Sequence, residues 1–260
     1  MDASSHKPFR LGANWRHSQD GDAVITSINP ADGSIAGIVT RATAQDVDAA
    51  VAIAWDAFQN KPWRKLRPDQ RATTLYEIGR RLSAEREPLA RLQMQDSGKP
   101  WKECLNMVDS AAGHFRYYAA VCETWQNEMT SPRGEYFSMA LAEPFGVIAA
   151  ITPWNSPIMN EAQKAAPALA AGNAVLLKPS EETPQLALEL ARLCSEAGLP
   201  GRVVDGAARP RRRRGRGAGQ ASWRTHGVVH RRHRNRPHHR RHSGPCLLYT
   251  SPSPRDVEES

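Results

Sequence analysis

The chain has 260 residues and a formal net charge of +8 at pH 7, yet residues 206–242 alone hold thirteen Arg and six His with no Lys, Asp or Glu. The remainder therefore carries about −5, an ordinary balance for a soluble protein, and a basic surface over the whole molecule is excluded. No apolar run approaches the ~18–20 residues that cross a bilayer, and the opening MDASSHKPFRLGANW has no apolar secretory core, so the expectation is a cytoplasmic protein with no membrane partner.

Residues 22–40 (DAVITSINPADGSIAGIVT) read as two strands around a turn, because Asn29 to Gly33 packs turn formers between β-branched runs. A helix follows. Thr43 is its expected N-cap with Asp46 three residues on, and Val47, Val51, Ala54, Trp55 and Phe58 recur at helical spacing. Pro68 suits the first turn of a second helix whose apolar face includes Leu75, Ile78 and Leu82. A third runs from Glu87 to Asp96 and stops at Ser97-Gly98, and a fourth spans about Trp101 to Trp125.

Residues 134–142 (GEYFSMALA) alternate loosely and read as an extended strand or hairpin arm ending at Glu143-Pro144. From there the pattern changes. Val147 to Ile151 is a short continuous apolar run of the kind buried in a parallel sheet, followed by a helix from about Ile158 to Ala171 that stops at Gly172-Asn173. Ala174 to Lys178 is a second buried strand, and Thr183 with Pro184 is expected to start another helix, ending near Gly198. The succession β-α-β-α is the opening of a doubly wound α/β sheet.

Four cysteines, Cys104, Cys122, Cys194 and Cys246, have no paired spacing, which suits a reduced compartment. No cluster of metal-ligand spacing occurs, so no metal is expected. Asn155 follows the first buried strand at its carboxyl end, where open α/β sheets place ligands and a side-chain amide can donate to a developing oxyanion. Its bland alternative is a turn-forming Asn before a helix. Lys178 and Glu181 lie at the end of the second strand and could bracket ribose hydroxyls; the bland alternative is a solvated Lys and a Glu that complements a helix dipole.

The segment Gly146 to Pro184 resembles the NAD(P)-dependent aldehyde dehydrogenase superfamily, and some features are similar to betaine-aldehyde-dehydrogenase-type members. The resemblance also takes in the INPADG turn, Phe58 with Trp63, DSGKP at Asp96 to Pro100 and EPFG at Glu143 to Gly146, in order over residues 20–205. It implies an aldehyde dehydrogenase-like fold, with an N-terminal helical region, the truncated start of a doubly wound Rossmann-type sheet, and an oligomerisation arm at about residues 128–145. It implies NAD as cofactor, with NADP not excluded, although Glu181 near the ribose favours NAD.

Carried over residue by residue, Ile151, Thr152, Pro153, Trp154 and Asn155 line the cofactor cleft, and Lys178 and Glu181 hold the adenosine ribose, with Pro179 and Ser180 lining the path. Asn155 takes the oxyanion role and Lys164 a proton-relay role, although a helix Lys is more often a solvated charge. The reaction implied is cysteine attack on an aldehyde, hydride transfer to the nicotinamide, and thioester hydrolysis by a glutamate base. The family's nucleophilic cysteine and general-base glutamate lie downstream of the matched region. Cys104, Cys122 and Cys194 do not match the nucleophile's context and are expected to be buried thiols, so this chain is expected to be inactive, and its relatives to be homo-oligomers.

Read literally, residues 206–242 are a basic arm for nucleic acid, and a nucleic-acid-binding protein is the rival reading. The absence of Lys argues against it. Taking the last two bases of each codon with the first of the next, residues 220–244 permit RHPGVHMVSFTGATGTGRTIAGTA, which resembles the family's segment leading into its glycine turn. Residues 206–245 are accordingly expected to be an out-of-frame, disordered segment with no genuine nucleic-acid partner. Residues 246–260, whose CLLYTSPSPRD is similar to a translated sequencing-library adapter, are expected to be a tail without a fold.

Overall fold

The computed structural model describes residues 7–11, 14–16, 24–60, 62–129, 131, 134–136, 138–200, 204–206 and 225–229. Two short antiparallel strands open it, β1 (Phe9–Leu11) and β2 (Asn14–Arg16). Strands β3 (Val24–Ile28) and β4 (Ile35–Thr40) form the hairpin expected around Asn29 to Gly33. Lys7 extends it, donating its amide to Ile38 O at 2.8 Å and accepting from Thr40 N at 2.9 Å. The sequence reading assigned no strand at β1, where Phe9 and Leu11 are buried against Ile25, Val39, Ala50 and Leu188.

Helix α1 (Ala44–Asn60) begins as expected: Asp46 N donates to Thr43 Oγ1 at 3.2 Å, while Thr43 N and Oγ1 both donate to Asp46 Oδ2 at 2.7 Å. The short Asp side chain closes the reciprocal cap that Glu usually closes. Helices α2 (Pro68–Ala84), α3 (Arg86–Ser97) and α4 (Trp101–Thr124) form a packed layer in which Leu75, Ile78 and Leu82 are fully buried. Each such side chain contributes about 1.5–3 kcal/mol by leaving water.

Gly98 ends α3 with φ 69°, and its missing Cβ would stand 2.5 Å from Pro30 Cγ. Glycine is needed there for both the left-handed cap and the close approach of the β3–β4 turn.

After a hairpin of two residues per strand, β5 (Glu128–Met129) with β6 (Met139–Ala140), the chain enters the sheet. Its elements are β7 (Val147–Ile151), α5 (Pro157–Ala170), β8 (Ala174–Lys178), α6 (Gln185–Glu196), β9 (Val204–Gly206) and β10 (Thr225–Val229). All pairings are parallel and the order is β10-β7-β8-β9. The chain first winds one way from β7 through β8 to β9, then returns to the other side of β7. That reversal defines a doubly wound sheet and its switch point.

Period-two alternation divides β8 between two layers. Val175 and Leu177 join the large core with α5 and α6, whereas Ala174 and Leu176 face Ala54 of α1. A strand covered on both faces reads as a continuous apolar run, as this one does. Beyond Asp205 the sequence reading placed no element, and the structure adds one there, β10, paired with β7 from Thr225↔Val147 to Val229↔Ile151.

The start of α6 corrects the sequence reading. Pro184 precedes the first helical turn, and the Thr183 hydroxyl makes no cap but donates to Trp154 O at 3.4 Å. The cap comes from a distant segment: Asp96 Oδ2 accepts from Gln185 N at 3.4 Å, and Asp96 Oδ1 from Gln185 Nε2 at 3.1 Å.

Candidate active site

The candidate site lies at the carboxyl edge of β7 and β8, where each strand hands over to a loop and then a helix. Thr152 continues β7 by one bond, its amide donating to Lys178 O at 3.0 Å. Together with the Thr183 to Trp154 bond, this holds the loop 152–156 beside the loop 179–184. Two segments far apart in sequence thus form one wall.

Along the first loop, Ile151 and Pro153 are half-buried, Trp154 is 44% exposed and Asn155 is exposed. Trp154 is thus free of the core at a strand's carboxyl end, with its apolar ring open to solvent. Ser156 ends the loop, its carbonyl accepting from Asn160 N at 2.9 Å in the first turn of α5. Thr152 Oγ1 is buried and has no hydrogen-bond partner among the described residues. A buried hydroxyl without a partner costs about 1–3 kcal/mol, which a ligand or water atom can recover.

Along the second loop, Lys178 is half-buried and its Nζ donates to Pro179 O at 3.0 Å. Pro179 is buried, Ser180 Oγ accepts from Glu182 N at 3.4 Å, and Glu181 is half-buried. The wall therefore offers a hydroxyl, an amide, an ammonium and a carboxylate in reach of solvent. It stands beside β7, where the sheet order reverses.

A profile of the aldehyde dehydrogenase family matches residues 15–214. The chain belongs to the aldehyde dehydrogenase family. Aminoaldehyde dehydrogenase 2 of Solanum lycopersicum is 40% identical over 194 residues, which cover 73% of this chain and 38% of that protein. Betaine aldehyde dehydrogenase of Hordeum vulgare is 38% identical over 201 residues, covering 75% and 40%. The chain thus spans about two-fifths of the length of these curated relatives.

Among solved structures, the aldehyde dehydrogenase KauB from Pseudomonas aeruginosa superposes with a TM-score of 0.79 at 31% identity, over 86% of this chain and 45% of that one. An aldehyde dehydrogenase from Bacillus cereus, solved as an NAD+ complex, gives 0.79 at 29% identity, over 87% and 47%. The aldehyde dehydrogenase fold read from the sequence is the fold observed.

Within this family member, the structure brings Ile151 to Asn155 together with Lys178 to Glu181. It sets Lys164 apart from their exposed edge. Lys164 lies about two turns into α5, only 8% exposed, so the bland expectation of a solvated surface charge is corrected. Burial lowers its pKa from the usual lysine range. Cys104, Cys122 and Cys194 are buried free thiols, as read from sequence, and burial raises all three pKa values, Cys194 to about 12. A thiol held that far up is protonated at neutral pH and a poor nucleophile.

Two carboxyl groups were given no role from the sequence, where Asp96 stood only as a helix end and part of DSGKP and Glu161 was not singled out. Asp96 accepts from Ser27 Oγ and both Gln185 donors, joining β3, α3 and α6; burial raises its pKa, and those hydrogen bonds oppose the rise. Glu161, on α5, has no exposed surface, and neither carboxyl oxygen has a hydrogen-bond partner among the described residues. Burial first, then the Asp96 charge, raises its pKa well above the carboxylate range. Its position between Asn160 and Ala162 in an otherwise apolar helical stripe was the available signal.

Proposed function

We propose that this chain is the N-terminal portion of an NAD(P)-dependent enzyme that oxidises an aldehyde to its acid. The observation that carries the reading is the joining of the 152–156 and 179–184 loops into one polar wall at the carboxyl edge of β7 and β8. The donor set fits a dinucleotide: Lys178 and Glu181 suit the hydroxyls of a ribose, and the unpartnered Thr152 Oγ1 marks a buried position that lacks a polar contact. Glu181 favours NAD over NADP, since a carboxylate disfavours a 2′-phosphate. When bound, the nicotinamide supplies a hydride acceptor.

This chain's own part is to bind and orient. Pro179 and Ser180 shape the ribose loop, Ile151, Pro153 and Trp154 give the cleft its apolar side, and the Asn155 amide donates to the oxygen where negative charge develops. Lys164 carries a proton inward from the crevice. Its depressed pKa supports that role, because a buried amine that titrates nearer neutrality can both give and take a proton. The aminoaldehyde and betaine aldehyde dehydrogenases among its relatives make a cationic aldehyde the favoured substrate class.

Activity needs a nucleophile and a base that residues 1–205 do not carry, so the chain as written is inactive. Residues 206–245 are read out of frame, and residues 246–260 derive from an adapter. The hairpin at residues 128–145 serves as the arm that joins copies of the intact protein, and the intact protein is cytoplasmic.

Two measurements test the reading. The purified 260-residue chain is expected to form no NADH from betaine aldehyde or an aminoaldehyde, and measurable formation overturns the claim of inactivity. Calorimetric titration with NAD+ is expected to show saturable binding that K178A weakens about tenfold or more, the loss of one charge-assisted contact. Equal binding by both proteins removes Lys178 from the cofactor site.

A further inference from the structure

The loop 179–184 is anchored at both ends. At its start, Lys178 closes β8, its carbonyl accepting from Thr152 N at 3.0 Å. At its end stands Gln185, the first residue of α6 and only 1% exposed. A buried side-chain amide needs partners within the protein, and Gln185 finds them on two other segments. Its Nε2 donates to Asp96 Oδ1 of α3 at 3.1 Å and to Ala36 O of β4 at 3.2 Å. Asp96 also accepts from the Gln185 backbone amide at 3.4 Å and from Ser27 Oγ of β3.

The grip is close. A Cβ at Gly37, which follows Ala36 on β4, would stand 2.5 Å from Gln185 Cδ and 2.7 Å from its Nε2. The missing side chain at Gly37 therefore lets the amide reach the β4 backbone.

We propose that Gln185 is a positioning residue for the ribose loop. The hold of Asp96 and Ala36 on its amide fixes where α6 begins, and so where the 179–184 loop stands against the 152–156 loop. Six residues separate Lys178 from Gln185, and Pro179 and Pro184 among them have φ set by their rings. A shift of Gln185 is therefore carried back to Thr183, whose hydroxyl donates to Trp154 O at 3.4 Å. A loop already held in its binding conformation raises affinity, because less ordering is left to binding. The inference rests on the reading of Lys178 and Glu181 as ribose contacts and extends it to a residue outside the cleft.

The test uses the full chain and two variants. Q185M keeps the bulk of the side chain and removes its donors. G37A leaves α6 untouched and displaces the amide through the new Cβ, a shift that the far end of a flexible side chain makes at little cost, so this variant folds even where Q185M does not. In amide hydrogen exchange, the peptide holding residues 179–184 is expected to exchange about tenfold faster in G37A and Q185M than in wild type, with residues 188–194 of α6 unchanged. Calorimetric titration with NAD+ is expected to give a Kd raised about tenfold in both. R192Q, which removes ion pairs seven residues further along the same helix, is expected to bind NAD+ as wild type does.

An unchanged 179–184 peptide in G37A overturns the positioning role. So does a faster-exchanging loop that keeps wild-type affinity while K178A binds more weakly. Equal weakening in R192Q assigns the effect to general loss of stability and overturns it as well. If K178A binds as tightly as wild type, the ribose reading falls and this inference with it, an outcome that K178A alone reveals.

Discussion

The backbone amide of Gly146 donates to Asn173 Oδ1 at 2.9 Å, and the Gly146 carbonyl accepts from Ala174 N at 2.9 Å. This double link sets the parallel register of β7 against β8, beginning at Val147↔Ala174. Asn173 is in turn fixed by its Nδ2, which donates to Ala168 O at 3.0 Å. Gly146 has φ 125°, and a Cβ there would stand 2.8 Å from Trp55 Cζ3. The Gly146→Ala variant is expected to lose about 1–3 kcal/mol from backbone strain alone, with the Trp55 contact adding to it. Asn173→Ala is expected to cost a similar ~1–3 kcal/mol by leaving the Gly146 amide bare. Urea unfolding of both measures this. The two costs arise from different causes, strain in one and a bare amide in the other, and an Asn173→Ala variant as stable as wild type would show the bond to be unimportant.

The Trp63 indole is buried, and its Nε1 donates to Leu169 O at 2.9 Å, tying the segment before α2 to the end of α5. Trp63→Ala is expected to cost about 3–5 kcal/mol as a cavity. Trp63→Phe keeps most of the apolar volume and removes only this bond, since Leu169 O still accepts from Gly172 N at 2.9 Å, so its expected cost is ~0.5–1.5 kcal/mol. A Phe variant as stable as wild type in a denaturant titration would mean that this bond does not hold the two layers together.

Glu161 makes stability depend on pH in a definite direction. Its folded-state pKa is raised, so the native chain holds a proton that the unfolded chain has already released. Stability is therefore lost as pH rises from the ordinary glutamate value of 4.5 through the folded pKa. Glu161→Gln keeps the shape and removes the titration. It is expected to be more stable than wild type at neutral pH by an amount on the order of 1–3 kcal/mol, and to differ little in acid. Chemical denaturation at several pH values reads the gap, and a gap that does not grow with pH would refute the account.

Arg192 of α6 meets three carboxylates: Glu85 at 2.5 Å, Glu189 at 2.9 Å and Glu196 at 2.8 Å. Glu189 also meets Lys7, and Glu196 meets Arg81, so one network joins the N-terminal segment, α2 and α6. These groups are partly exposed, and water screens them. Arg192→Gln is expected to cost only about 1 kcal/mol in dilute buffer, and less in molar salt. Thermal melts at low and high salt compare the two, and a cost unchanged by salt would point to packing of the Arg stem instead.

Much of the fold was legible because the local signals agree. The Thr43–Asp46 cap, Pro68 at the start of α2, Gly98 at the end of α3, and the apolar runs of β7 and β8 each state their element within a few residues. Strand β1 was not legible, since three residues carry too little periodicity. It is seated by distant partners: Phe9 and Leu11 pack against Ile25, Val39, Ala50 and Leu188, and the Arg10 guanidinium reaches Ala191 O at 3.0 Å and Ser195 Oγ at 2.8 Å on α6. The candidate site was legible as two motifs, 151–155 and 178–181, through family resemblance and through their places at strand ends.

What the sequence by itself determined is the order of the helices and of strands β3, β4, β7 and β8, the family, and the residue types at the two strand ends, because period, caps and turn formers act within one or two turns of chain. Tertiary structure alone decided which distant groups meet. It supplied the cap of α6 from Asp96 rather than Thr183, seated β10 on the far side of β7, buried Lys164, and left Glu161 without a hydrogen-bond partner among the described residues. The reason is physical: desolvation and long-range hydrogen bonding depend on what packs against a side chain, and that neighbour lies some ninety residues away for Gln185 and Asp96.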